Sequence, residues 1–266
     1  MTAVMSSAFD VSTFLRELRD QPSAIGEPFQ YFTSTTSTND EAKLAARAGA
    51  PSGACFLADH QTAGRGRNGR SWHAEPQQQL LVSVLWRPKR GLTNAALTLV
   101  VGVCLHRALC RLLPPPSVLA IKWPNDLESE RRKLGGILVE GGQMPDQSPY
   151  VIIGFGLNVR PVTTEIAVPH LPTSLAELGL TTEREPLLAH LLRELGDGIT
   201  RFERTGPDEF TTYLYRHNAL ADEWVTVENV CGKVVGIAAN GALTLQNEAG
   251  LVEVTSGTVE RIQTDV

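Results

Sequence analysis

The sequence predicts an α+β protein. Helices flank a central β-sheet over residues 1–220, and a small β-barrel-like domain follows over 221–266. Three observations predict this. Apolar runs suited to strands ("ACFLADH", "QLLVSVLW", "VLAIKW", "KLGGILVEGG", "YVIIGFGLNV") are interspersed with segments of helical periodicity. From Trp224 on, short β-rich runs alternate with Gly and Asn. Hydrophobic residues make up 42% of the 266 residues and charged ones 20%, enough apolar material for a full core.

The elements follow in order. Val11, Phe14, Leu15 and Leu18 have helical spacing, so a helix is expected over 10–19 and nothing else before Ser37. "STNDEAKLAARAG" predicts a second helix, with Thr38 and Glu41 as a capping box and Gly49 as its stop. "ACFLADH" is a strand, a glycine-rich loop comes next, and "QLLVSVLW" is the following strand. A long helix is expected from about Thr93 to Leu113, ended by Pro114-Pro115-Pro116. Its apolar stretch from Ala95 carries His106, Arg107 and Arg111, so it reads as a core helix rather than a membrane span. Three strands then run to Val159, and helical patterns return at Ser174–Leu178, Glu185–Arg204 and Pro207–His217. In the tail, Asn240-Gly241 between apolar runs signals a hairpin.

Charge and cysteine content narrow the function classes. The net charge is −5 and the pI about 5.7, whereas a nucleic-acid binder more often carries a basic excess. Positive charge is local, at Arg65, Arg67 and Arg70 and again at Arg131, Arg132 and Lys133. The four cysteines form no C-x-x-C pair and read as reduced thiols of a cytoplasmic protein. No basic segment followed by an apolar one opens the chain, so no signal peptide is expected.

"GRGRNGRSW", Gly64 to Trp72, matches the dinucleotide fingerprint and, with Arg in place of Lys, a P-loop. Both require the loop to open a helix, whose N-terminus supplies amides to phosphate. Here "SWHAEPQQQ" and then a strand follow, so neither fold is expected. Three arginines interleaved with three glycines repel one another unless an anion lies between them. The glycines permit close backbone approach and the arginines supply donor forks, which points to capture of phosphate or pyrophosphate. Such a loop is expected to be mobile when empty and ordered when filled.

Three further segments carry polar groups near strand ends. "KWPNDL" offers Lys122, Asn125 and Asp126, although Pro-Asn-Asp is also good turn chemistry. "RKLGGILVE" sets Lys133 before Gly135-Gly136, and "GFGLNV" ends on Asn158. Each is weak alone; together with the loop they suggest one ligand crevice.

In order and density these motifs ("STND", "QTAGRGRNGRSW", "KWPNDL", "RKLGGILVE", "GFGLNV") resemble the biotin protein ligases, or biotin–[acetyl-CoA-carboxylase] ligases, over about residues 30–262. The resemblance implies a central mixed sheet flanked by helices, like that of class II aminoacyl-tRNA synthetases, and an SH3-like C-terminal domain. It also implies a two-step reaction. Biotin's carboxylate attacks the α-phosphate of ATP, giving biotinyl-5′-AMP and pyrophosphate. A lysine of the biotin carboxyl carrier protein of acetyl-CoA carboxylase then attacks the anhydride and AMP leaves.

By the same resemblance, Ser37, Thr38, Asn39, Gln61, Gly64, Arg65, Gly66, Arg67, Lys133 and Gly136 bind biotin. Arg67, Arg70, Trp72, Lys122, Asn125 and Asn158 bind ATP or adenylate, Trp72 by covering the adenine. Lys133, Arg67 and Arg65 carry the catalysis. Asp126 assists Mg²⁺ brought with ATP, and no tightly bound prosthetic group is implied. No protein nucleophile is needed, because adenylyl transfer is positioning plus charge stabilisation. Two departures stand out. Asn68 occupies a position where Arg is common, and only 36 residues precede Ser37, too few for the helix-turn-helix domain of repressor members. A ligase without repressor activity, DNA or membrane partner is therefore expected; the family includes monomers and homodimers. The rivals are a lipoate ligase or octanoyltransferase, and a DNA-binding biotin sensor.

Overall fold

The computed structural model describes residues 8–20, 23–89, 94–144, 146–162 and 171–262. After helix α1 (Val11–Asp20), seven strands form one sheet: β1 (Phe29–Phe32), β2 (Cys55–Ala58), β3 (Gln79–Trp86), β4 (Ala120–Lys122), β5 (Asp126–Ser129), β6 (Arg132–Gln143) and β7 (Pro149–Asn158). Their spatial order is β1-β2-β3-β7-β6-β5-β4. Only β1 and β2 run parallel, so the sheet is mixed.

The period of two along each strand decides what each face meets. Leu80, Val82 and Val84 of β3, with Ile153, Phe155 and Leu157 of β7, join the main core with α1, α3 (Asn94–Leu112) and α4 (Arg184–Thr205). The opposite face packs Phe56, Leu85 and Ile152 against Ala42 and Ala46 of α2 (Thr38–Arg47). That second cluster is small and covers only part of the face. Over the rest, β6 and β7 present Gly136, Leu138, Gly154 and Gly156 to an open cleft.

Helix α5 (Asp208–Arg216) leads to a five-stranded antiparallel sheet in the order β11-β10-β9-β8-β12. Its strands are β8 (Trp224–Val227), β9 (Val230–Ile237), β10 (Leu243–Asn247), β11 (Gly250–Val254) and β12 (Val259–Arg261). Val225, Val227, Leu243 and Leu245 belong to the same buried cluster as the main core. Trp123 Nε1 donates to the Gly241 carbonyl at 2.9 Å, and Arg261 pairs with Glu128 and Glu223. The Asn240-Gly241 turn forms as expected, with Gly241 at φ +89°.

Five sequence expectations need correction. β1 precedes Ser37 and was not anticipated. β5 is a strand where turn material was expected, and a two-residue hairpin with Glu130 and Arg131 at φ 50° and 62° joins it to β6. Ser37, not Thr38, caps α2, without a side-chain cap bond. Glu41 does not reach back to close a capping box: its carboxylate accepts from Thr35 Oγ1. Ser174–Leu178 is a single turn closed by Leu178 N–H to the Ser174 carbonyl, not a helix. The expected start of α3 at Thr93 lies outside the described residues. The apolar stretch Ala95–Leu112 is long enough to cross a membrane, but most of it is buried in the core.

One core histidine predicts a pH dependence. His106 is fully buried, with Nε2 2.8 Å from the Leu119 carbonyl and Nδ1 2.8 Å from the Tyr213 hydroxyl. Burial lowers its pKa to about 4, and the neighbouring His217 and Arg107 charges act in the same direction. The folded value lies below the unfolded one, near 6.5, so stability is full above pH 6.5 and falls as pH drops toward 4. The loss between pH 7 and 4.5 is about 2 kcal/mol from this group. Urea midpoints across that window should fall less steeply for His106→Gln.

Candidate active site

A cleft of about 600 Å³ lies on the α2 side of the sheet. Its floor is bare backbone where Gly136 of β6 faces Gly156 of β7. The Trp72 ring lies across this pair: a Cβ built at Gly156 would sit 2.6 Å from Trp72 Cε2, and one at Gly136 2.9 Å from Cζ3. Trp72 Nε1 donates to Gln79 Oε1 at 3.0 Å. Trp72, which the sequence reading expects to cover adenine, rests its ring on the floor of the cleft.

One end of the cleft is polar, lined by neutral side chains of α2 and Gln61. Ser37, Thr38 and Asn39 are at most 5% exposed at the start of α2. Thr38 N–H and Oγ1 both donate toward Gln61 Oε1, at 2.7 and 3.1 Å. Ser83 Oγ lies within hydrogen-bond reach of Thr38 Oγ1 and Asn39 Oδ1. Two positions before Gln61, Asp59 is buried in an ion pair with Arg184 and accepts from the Tyr31 hydroxyl, anchoring the strand end that leads into the loop.

The glycine-arginine loop closes one side. Trp72 N–H bonds the Gly64 carbonyl at 2.9 Å and Gly66 N–H the Arg70 carbonyl at 2.7 Å. A Cβ at Gly64 would lie 2.6 Å from the Trp72 carbonyl oxygen, so this neck requires glycine. The loop tip, Arg67–Gly69, is one 3₁₀ turn with Asn68 at φ 54° and Gly69 at φ 71°, between strands as expected.

The three arginines separate in role. Arg65 grips both carboxylate oxygens of Asp40 and reaches Glu140. Those bonds raise its pKa and lower that of Asp40. Arg70 donates to Thr258 Oγ1, linking the loop to the C-terminal sheet. Arg67 lies half-buried at the cleft without a hydrogen bond or ion pair to a described side chain; burial lowers its pKa, against the charge of Asp126.

The other end of the cleft is charged. Lys133 Nζ lies 2.8 Å from Asp126 Oδ1 and 5.3 Å from the Trp72 ring centre. That Oδ1 is buried and the contact falls outside hydrogen-bond angles. Asn125 and Asn158 serve the backbone as well as the cleft. Asn125 Nδ2 donates to the Ile137 carbonyl, and Asn158 Nδ2 donates to the Thr173 carbonyl. Lys122 is buried, its pKa lowered by burial, and lines a smaller adjoining cavity of about 50 Å³ with Arg67, Arg70, Asp126 and Thr258.

Of the residues expected from sequence, all but Gly64 and Lys122 line the large cleft; Gly64 shapes the loop neck and Lys122 lines the neighbouring cavity. The sequence reading missed Glu140, Asp40, Lys43, Gln79 and Ser83. Glu140 was accessible by alternation, since Gly136, Leu138 and Glu140 share a face of β6. Among the described residues no group of three or more His, Cys, Asp or Glu could hold a metal ion.

Comparisons with known proteins point one way. Residues 29–158 match the model of the biotin/lipoate A/B protein ligase family, and 226–261 that of the biotin protein ligase C-terminal domain. A biotin–[acetyl-CoA-carboxylase] ligase of Mycobacterium tuberculosis is 34% identical, covering 93% of this chain and 95% of that protein. The bifunctional ligase/repressor BirA of Escherichia coli is 33% identical over 74% of this chain and 63% of its own length. The biotin protein ligase of Aquifex aeolicus in complex with biotin and ATP superposes with a TM-score of 0.77 at 26% identity, over 90% of this chain and all of that one.

Proposed function

The chain belongs to the biotin protein ligase family, and from that premise we propose that it activates biotin with ATP and passes it to a lysine of a carrier domain. One observation carries the reading. A polar pocket at Ser37–Asn39 and Gln61 opens, across a glycine floor, onto the cationic groups Arg67 and Lys133. This suits an acid whose neutral hydrogen-bonding head is held at one end while its carboxylate meets a nucleotide at the other. Lipoate's dithiolane carries no ureido-like donors or acceptors and would make no use of the polar side chains of Thr38, Asn39 and Gln61, which disfavours that rival.

The chemistry needs two anions to approach. Biotin's carboxylate oxygen attacks the α-phosphorus and the bond to pyrophosphate breaks. Arg67 and Lys133 offset the repulsion and the charge that grows in the transition state. ATP is taken to enter with Mg²⁺, and Asp126, whose Oδ1 is buried without a hydrogen bond, would help hold an ion that neutralises the phosphates. In the second half-reaction the carrier lysine's amine attacks the acyl carbon, AMP leaves and the amine proton is lost. The acceptor assigned here is the biotin carboxyl carrier protein of acetyl-CoA carboxylase. Four free cysteines agree with a reducing, cytoplasmic setting.

Repressor activity is not part of this reading. The net charge is −5, and α1 buries Phe14 and Leu18 in the main core instead of standing free to read DNA.

The test is mass spectrometry of a carrier domain incubated with the protein, biotin and MgATP, beside ATP–pyrophosphate exchange with biotin or lipoate. One biotinyl group per carrier and biotin-dependent exchange are expected. Exchange driven by lipoate and not biotin would overturn the reading. An electrophoretic shift of DNA at low salt that requires biotin and ATP would restore the sensor.

A further inference from the structure

We propose that Glu140 is a positioning residue that ties the polar end of the cleft to the neck of the glycine-arginine loop, so that a ligand at one is felt at the other. The proposal rests on the biotin ligase reading only for the identity of that ligand.

Glu140 sits on the cleft face of β6. Its Oε2 accepts from Asn39 Nδ2 at 2.6 Å and from Arg65 Nη2 at 3.3 Å. Its Oε1 accepts from Lys43 Nζ at 2.6 Å. Asn39 belongs to the pocket proposed for biotin's head; Arg65 stands between Gly64 and Gly66 at the loop neck. One carboxylate oxygen therefore touches both. The link is stiff on either side. Asn39 Oδ1 accepts from Ser83 Oγ, so its amide is held at both ends, and Arg65 is also clamped by Asp40.

The cluster balances two carboxylates, Asp40 and Glu140, against two cations, Lys43 and Arg65. Burial raises the Glu140 pKa, but its bonds to Lys43 and Asn39 and the charges of Lys43 and Arg65 outweigh this, so the group is held charged. The charge matters because a neutral acceptor binds guanidinium more weakly. A head group that bonds the Asn39 amide and keeps it aligned also keeps Oε2 available to Arg65. Such a shared partner is a physical basis for coupling between two sites. Nothing else described bonds both residues.

Limited subtilisin digestion reads the loop directly. Glu140→Gln should be nicked within Gly64–Trp72 about threefold to tenfold faster than the wild type without ligand, and biotin should protect it less. In an Arg65→Ala background the same change should add nothing, because the tether is already cut. Glu140→Asp, which keeps the charge but shortens the reach, should fall between. Nicking of Glu140→Gln at the wild-type rate, or full additivity with Arg65→Ala, would overturn the tether. Glu140→Gln with faster nicking but wild-type protection by biotin would overturn the coupling. Should Glu140→Gln lose its cooperative thermal unfolding, Glu140→Asp decides the matter by the same rates. If biotin protects neither protein and exchange is absent in the wild type, the ligand assignment fails, while the ligand-free nicking rates still decide the tether.

Discussion

Lys133→Met should lower biotin-dependent ATP–pyrophosphate exchange by about a hundredfold to a thousandfold, the usual effect of removing one charged donor aimed at a developing anion. Lys133 leads into the glycine floor, its ammonium 2.8 Å from Asp126 and 5.3 Å from the Trp72 ring centre. In that position it can leave the aspartate for the phosphate as biotin's carboxylate comes in. Met retains most of the stem that packs beside Trp72, so the loss isolates charge from packing. Arginine would not restore it, since a planar fork cannot replace a compact ammonium in this space. Removing the lysine also strands Asp126, whose Oδ1 is buried, so some stability should be lost as well. Adding Asp126→Asn to Lys133→Met should recover the melting temperature and leave exchange low. Exchange at the wild-type rate in Lys133→Met would remove the lysine from the chemistry.

What the sequence disclosed, and what it hid, follows from where the information resides. β3 and β7 were legible because both faces are buried and their apolar runs are continuous. β1 is a four-residue edge strand, only partly buried, whose pairing with β2 supplies what its own pattern lacks. β5 carries the half-buried Asp126 and the buried Glu128 and Ser129, polar residues covered by partners distant in sequence, Arg261 among them. Its hairpin uses Glu130-Arg131 at positive φ where Asn-Gly is the familiar signal, so the turn left no trace in composition. The glycine-arginine loop announced an anion by local chemistry. It could not disclose that Arg65 faces carboxylates, because Asp40 and Glu140 lie 25 and 75 residues away. Charge in one segment was readable; its partner was not.

Gly154 and Gly156 convert the two ends of the cleft into separable measurements. They are two residues apart on β7 and face the same side, yet different groups rest on them. A Cβ on Gly154 would lie 2.2 Å from Asn39 Oδ1, an impossible contact, and Asn39 cannot yield without losing its bonds to Ser83 or Glu140. A Cβ on Gly156 would instead meet the Trp72 ring at 2.6 Å, and that ring hangs on a single bond to Gln79 from the end of a loop. The first obstacle is braced and the second can move. Gly154→Ala should therefore raise the KM for biotin by about tenfold to a hundredfold, the cost of overpacking a fixed polar group, with a smaller effect on the KM for ATP. Gly156→Ala should show the reverse preference, since displacing Trp72 disturbs the surface proposed to receive adenine and leaves Ser37–Asn39 in place. Initial rates of exchange with each substrate varied in turn measure both. If the two variants raise the two constants in equal proportion, the division of the cleft into an acid end and a nucleotide end is wrong. Separate responses would assign each end from the resting partner of one glycine.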